Sequence, residues 1–154
     1  MAVLFFDSSS LVKRYIVETG TSWVIDLLRP SASNEVFVAG ITGIEVASAF
    51  ARRLKAGSLD PVAANKALFR FKRDYAKRFI VIDLTPQIIE KGISLAEKHA
   101  LRGYDTTQLA VAVTLDARLR QSGITSVTFV SADSDLNRAA EAEGLIVQNP
   151  NDYP

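Results

Sequence analysis

The chain of 154 residues sets 18 lysines and arginines against 17 acids, for a net charge of +1, and 48% of it is apolar. That length fits one domain, able to bury about two-thirds of its unfolded surface, and the apolar share excludes a disordered chain. With no cysteine, disulfides, thiol nucleophiles and cysteine–zinc sites are excluded; this suits a reducing cytoplasm, and any nucleic-acid affinity must come from a local patch rather than the net charge.

No apolar run approaches the ~18 residues of a membrane span. Asp7 interrupts the first apolar run too early for a signal peptide. In chain order, Val3–Phe6 reads as a short buried strand. Residues 9–17 follow as a helix with Leu11, Val12, Tyr15 and Ile16 on one face. Gly20 breaks it, and Thr21 or Ser22 can cap a helix carrying Trp23, Val24, Leu27 and Leu28, closed by Pro30. Val36–Ala39 is a second strand, ended by Gly40. A helix with Val46, Phe50 and Leu54 follows and stops at Gly57.

Pro61 opens the next helix, through Ala64, Leu68, Phe71 and Tyr75. Phe79–Leu84 is a third strand. Pro86 starts a helix with Ile88, Ile89, Ile93 and Leu95 that ends near Gly103, and 105–120 is a further helix. Val127–Val130 is a fourth strand, 135–143 a short helix and Leu145–Val147 a fifth strand. Short strands without strict alternation, separated by helices, predict a mostly parallel sheet covered on both faces. The expected architecture is a three-layer α/β/α sandwich in one domain over 1–148, with a terminal tail over 149–154.

Acids recur where strands end. Asp7 ends the first strand, Glu45 follows the second and Asp133 follows the fourth, while Asp105 opens a helix and Asp135 lies beside Asp133. Sites in open parallel sheets form outside the carboxyl ends of strands, so these acids are expected at one rim. Each also reads as a helix cap: Asp7, Asp105 and Asp133 as N-caps, and Thr42-Gly43-Ile44-Glu45 as a capping box. Crowded carboxylates repel one another. A hard divalent cation relieves that conflict, and oxygen donors without histidine or thiolate suit Mg2+ or Mn2+.

Four segments carry a family resemblance: "FFDSSSLVKRY", "ITGIEVASAF", "LRGYDTTQLAVA" and "FVSADSDLNRAAEAEGL". In this order, over nearly the whole chain, they resemble the PIN-domain ribonucleases, specifically the VapC-type toxins of toxin–antitoxin pairs. The resemblance implies a Mg2+- or Mn2+-dependent endoribonuclease acting on RNA. It also implies a homodimer and a small cognate, VapB-like antitoxin. The metal-site acids carry over to Asp7, Glu45, Asp105 and Asp133, which would also be the catalytic set. The hydroxyl near the first acid falls on Ser9, with Ser8 adjacent, and would meet a phosphate oxygen; Asp135 matches loosely as an outer acid.

Lys13, Arg14 and Arg102 lie near these acids in sequence and are expected to contact phosphate. The basic run Arg70, Lys72, Arg73, Lys77 and Arg78, with Arg52, Arg53 and Lys55, reads as a solvated helix face. His99, the one histidine, reads as a helix-end residue, and Trp23 as core or dimer packing. Tyr15, Phe50, Leu54, Leu68 and Phe69 read as core for the most part, with a groove for an antitoxin helix or strand as the alternative. An aspartyl-phosphate phosphatase would need a second acid where Ser9 stands. The remaining alternatives are another Mg2+-dependent phosphoryl-transfer enzyme, and a non-catalytic module whose acids are only caps.

Overall fold

A computed structural model describes residues 1–124 and 126–154. Five parallel strands form the sheet: β1 (Val3–Phe6), β2 (Glu35–Ala39), β3 (Ile80–Ile82), β4 (Thr128–Val130) and β5 (Ile146–Gln148), in the order β3-β2-β1-β4-β5. The chain therefore starts in the middle of the sheet, builds outward through β2 and β3, and returns to the other side of β1. The topological switch point lies between β1 and β4, where open α/β sheets leave a crevice at their carboxyl ends.

β1 is buried along its whole length. Val3 and Phe5 face one layer, where Phe5 stacks on Phe129 with ring centroids 5.7 Å apart. Leu4 and Phe6 face the other, with Val38, Phe50 and Phe71. A strand covered on both faces must be apolar at every position, and burying each such large side chain contributes about 1.5–3 kcal/mol. The first layer holds α5 (Pro86–His99), α6 (Gly103–Gln121) and α7 (Ser134–Ala142). The second holds α1 (Ser8–Leu11), α2 (Thr21–Leu27), α3 (Thr42–Lys55) and α4 (Pro61–Lys77). The α/β/α sandwich expected from the sequence is the fold observed.

Local departures have local causes. The helix expected over 9–17 is α only to Leu11, and a 3-10 turn, Val12–Arg14, completes it. The Lys13 carbonyl accepts from the Thr21 hydroxyl at 2.9 Å, so the chain bends toward α2 where a regular helix would run on. Gly20, in the left-handed region at φ 83°, is the α2 N-cap in place of Thr21 or Ser22. A Cβ there would sit 2.2 Å from the Pro150 carbonyl oxygen, so the close approach of the tail requires glycine. The tail is fixed as a 3-10 turn, Pro150–Asp152, and Tyr153 stacks on Trp23 at 4.4 Å. Tyr15 and Phe50 belong to the core and leave Phe69, 70% exposed, as the outward ring of the alternative antitoxin groove. Ile89 and Ile93 are exposed on α5.

One buried carboxylate ties the second layer together. Asp74 on α4, 0% exposed, accepts from the Tyr15 hydroxyl at 2.9 Å, Arg14 Nε at 3.2 Å and Arg73 at 3.0 Å. Burial pushes its carboxyl up, but the bonds from Arg73, Tyr15 and Arg14 outweigh that and hold it below the usual aspartate range. Removing one partner of a buried pair leaves the other charge uncompensated. Asp74→Ala is therefore expected to cost about 3–5 kcal/mol, read from the urea midpoint. Arg73→Ala, at a half-exposed partner, should cost about 1 kcal/mol or less.

Candidate active site

Asp7 follows directly on β1 and is the N-cap of α1, its Oδ1 accepting from the Ser10 amide at 2.9 Å. The Ser9 hydroxyl lies 2.9 and 2.8 Å from the two Asp7 carboxylate oxygens and accepts from the Ala132 amide at 3.0 Å. Ser10 Oγ donates to the Val130 carbonyl at 2.6 Å. These bonds stitch the end of β1 to the end of β4, across the switch point. The carboxylate is nearly sealed, with Asp7 3% exposed. Desolvation pushes its carboxyl up to about 6, against the opposing bonds from Ser10, Ser9 and Ser131.

Asp133 is likewise an N-cap, of α7, accepting from the Asp135 and Leu136 amides at 2.9 Å each. Glu45 and Asp105 are not caps. The α3 N-cap is Ile41, without a side-chain bond, so the capping box read from Thr42 and Glu45 does not form. Gln108 takes both partners: its Nε2 lies 2.7 Å from Glu45 Oε1 and 2.9 Å from Thr42 Oγ1. Gln108 is 1% exposed and Thr42 is fully buried. Arg102 is the α6 N-cap residue, leaving Asp105 in the first turn.

The acids feel one another. Partial burial raises the Glu45 carboxyl, bonds from Gln108 and Ser8 oppose this, and the Asp105 charge raises it further. Partial burial also raises the Asp105 carboxyl, as do the charges of Asp133 and Asp135, while Arg102 pulls it down. Asp105 thus lies within electrostatic reach of Glu45 on one side and of Asp133 and Asp135 on the other.

Beside the rim lies a cleft of about 490 Å³. Its walls include Ser8, Ser9 and Lys13 from the first turn, Glu45, Ser48, Arg52 and Arg53 along α3, and Tyr104 and Ala132 at the rim. Asp7 stands behind Ser9, and Asp105 and Asp133 directly follow the lining residues Tyr104 and Ala132. Lys13 is committed as a strut: its Nζ is bonded to Glu18 at 3.3 Å, the Thr19 carbonyl at 2.9 Å and Asn151 Oδ1 at 3.0 Å. Arg14 departs from expectation. Its side chain, 11% exposed, turns away from the cleft to Asp74, the nearest buried counter-charge. His99 pairs with Glu143 at 2.6 Å.

Sequence reasoning missed Gln108. The signal was present: a glutamine opening the apolar run "QLAVAV", one helical turn after Asp105 and on its face. Among the described residues, no three His, Cys, Asp or Glu side chains converge closely enough to hold a metal ion. The donor chemistry nonetheless fits Mg2+ or Mn2+. These ions prefer oxygen, keep several waters and are commonly held by one or two carboxylates with substrate phosphates.

No protein-family model matches the sequence, and no curated protein matches it. Solved structures do. VapC20 of Mycobacterium tuberculosis, a sarcin–ricin-loop-cleaving toxin, aligns with a TM-score of 0.62 at 19% identity, over 93% of this chain and 96% of its own. VapBC2 from Rickettsia felis, bound to a DNA fragment from its promoter, gives 0.62 at 15% identity, over 96% and 98%. VapBC-1 from nontypeable Haemophilus influenzae gives 0.59 at 12% identity, over 96% and 98%.

The chain has the PIN-like fold of the VapC toxins. At these identities the likeness is one of architecture, and the acids of this PIN-like rim stand on their own geometry. The raised Asp7 carboxyl has a sign that can be worked out. Its folded value, about 6, lies above the ordinary 3.8, so the folded state holds the proton more tightly and loses stability as pH rises between those values. In EDTA at pH 7, Asp7→Asn should therefore stabilise the protein by about 2–3 kcal/mol. The gain should vanish below about pH 4, where both forms are neutral, as urea unfolding at the two pH values will read.

Proposed function

We propose that this protein is a metal-dependent endoribonuclease, the toxin of a toxin–antitoxin pair, hydrolysing RNA phosphodiester bonds at the PIN-like rim. One observation carries the reading: Glu45 lines an open cleft and feels the charge of Asp105, which in turn feels Asp133, and neither Glu45 nor Asp105 is spent on a helix cap. Partly buried carboxylates whose proton affinity is raised further by a neighbouring acid, as at Glu45 and Asp105, are poised for a cation.

One or two carboxylates of the set Asp7, Glu45, Asp105 and Asp133, together with substrate phosphates, would hold Mg2+ or Mn2+. When bound, the ion supplies a Lewis acid that offsets charge developing on the phosphoryl oxygens. The chain's own groups do the rest. Ser9, placed at the cleft wall by the Ala132 amide, can turn its one hydroxyl proton from Asp7 to a phosphate oxygen. Glu45, held at Oε1 by Gln108, orients the attacking water and takes its proton at the carboxylate. Tyr104, exposed at the cleft, offers a ring on which an unpaired base can stack, which supports a single-stranded substrate.

A small antitoxin, as in the VapBC structures, is the proposed protein partner. The exposed Ile89 and Ile93 of α5 support a second copy of the chain as another. The runner-up is a non-catalytic module, which the true capping roles of Asp7 and Asp133 favour.

A labelled single-stranded RNA decides between them. Cleavage is expected with Mg2+ or Mn2+ and should stop in EDTA. Glu45→Gln should lower kcat by about 10²–10⁴-fold, and Asp7→Asn should nearly abolish cleavage while the far-ultraviolet spectrum is unchanged. RNA binding without cleavage under every metal condition would establish the module instead.

A further inference from the structure

The cleft changes character along α3. At the rim it presents Ser9 and Glu45, and at its far end Arg52 and Arg53. Glu45, Ser48, Ala49, Arg52 and Arg53 follow the helical repeat and share the face that lines the cleft. Arg52 lies seven residues beyond Glu45, about 10 Å along the helix axis at 1.5 Å per residue. The Arg52 side chain leans back toward the helix N-terminus and its charge reaches Glu45, so a phosphate it meets adjoins the one being cut beside Glu45.

The cations at that end are not equivalent. Glu18, in the turn before α2, pairs with both Lys13 and Arg53. Its carboxylate sits among the cleft-lining groups, where it satisfies two cations that a phosphate would otherwise reach. Lys13 is further held by Thr19 and Asn151. Arg52 is exposed and, among the described residues, its side chain makes no ion pair or hydrogen bond. A carboxylate bridging two cations beside a third, uncommitted one is an arrangement a polyanion can exploit in graded fashion. The first phosphate meets Arg52, and a second must compete with Glu18.

We propose that the α3 end of the cleft is a phosphate subsite for an RNA strand, in which Arg52 contacts a phosphate adjoining the scissile one and Glu18 withholds Arg53 and Lys13 from it. The proposal rests on the ribonuclease reading for the identity of its ligand. It adds a substrate class: single strands with at least one further phosphate beyond the bond that is cut. A guanidinium suits this task because its planar fork binds phosphate oxygens in pairs and remains charged at any relevant pH.

Binding is measured in an Asp7→Asn background, in EDTA, by fluorescence anisotropy of a labelled single-stranded RNA across a salt series. Adding Arg52→Gln should weaken binding about tenfold and lower the salt slope by about 0.7. Arg118→Gln, an equal charge change at the far end of α6, serves as the control and should leave both unchanged. Glu18→Gln should tighten binding and steepen the slope. If that variant unfolds, Arg53→Gln replaces it and should weaken binding less than Arg52→Gln does. In the cleaving enzyme, the Arg52→Gln penalty should fall on KM and be larger for a longer RNA than for a dinucleotide. Equal affinity and equal salt slope for the Arg52→Gln and parent proteins overturn the subsite. Cleavage by the unmutated protein is scored separately, so failure of the ribonuclease reading is distinguishable from failure of the subsite.

Discussion

The central strand ends in a carboxylate that the fold does not let water reach. Asp7 follows four buried apolar residues at the middle of the sheet and is 3% exposed. A lone charge in such a place is costly, and three serine hydroxyls and an amide only partly offset it, leaving the carboxyl at about 6. The surrounding architecture follows from that burden. The Ser9 and Ser10 hydroxyls bond across to the β4 end, so the switch point is closed by the groups that solvate Asp7. The loop carrying Asp133 is thereby drawn against the start of α1. A stability cost concentrated at a strand end beside a cleft is the usual physical mark of a working site.

A second constraint is the disposal of cations. Three of the basic residues nearest the site in sequence or space serve the scaffold. Arg14 neutralises the buried Asp74, Lys13 binds the Thr19 carbonyl and the tail, and Arg53 shares Glu18 with Lys13. These ties hold α1, α2, α3, α4 and the C-terminal turn around one wall of the cleft. The terminal segment is accordingly an integral part of that wall: Asn151 bonds Lys13, and the Pro150 carbonyl fills the space that Gly20 leaves.

Glu45 shows how the bland and the functional readings of a residue are separated. A threonine followed three residues later by a glutamate has the form of a capping box, yet the helix begins one residue earlier than that form requires, with Ile41 as its N-cap. Thr42 is then inside the helix and buried, and its hydroxyl turns to Gln108. The same glutamine fixes Glu45. A glutamine 1% exposed between two helices has few alternatives, because an unmet amide there would carry a desolvation cost of about 1–3 kcal/mol.

Much of this protein is local and was written in the chain. Val3–Phe6 is a strand over the range its apolar run marks, and Pro61 and Pro86 open helices because proline fixes φ and lacks the N–H that a first turn does not need. The placing of acids just past strand ends follows from the same alternation of apolar runs and breaks. What the chain could not declare is which of its charges are already spoken for. Arg14 is committed to Asp74, sixty residues away, and Glu45 to Gln108, sixty-three residues away. Glu18 claims Arg53 from a different helix. Ion pairs and hydrogen bonds act over a few ångström between groups that only the folded arrangement brings together, so which acids and arginines are committed was decided by tertiary structure alone.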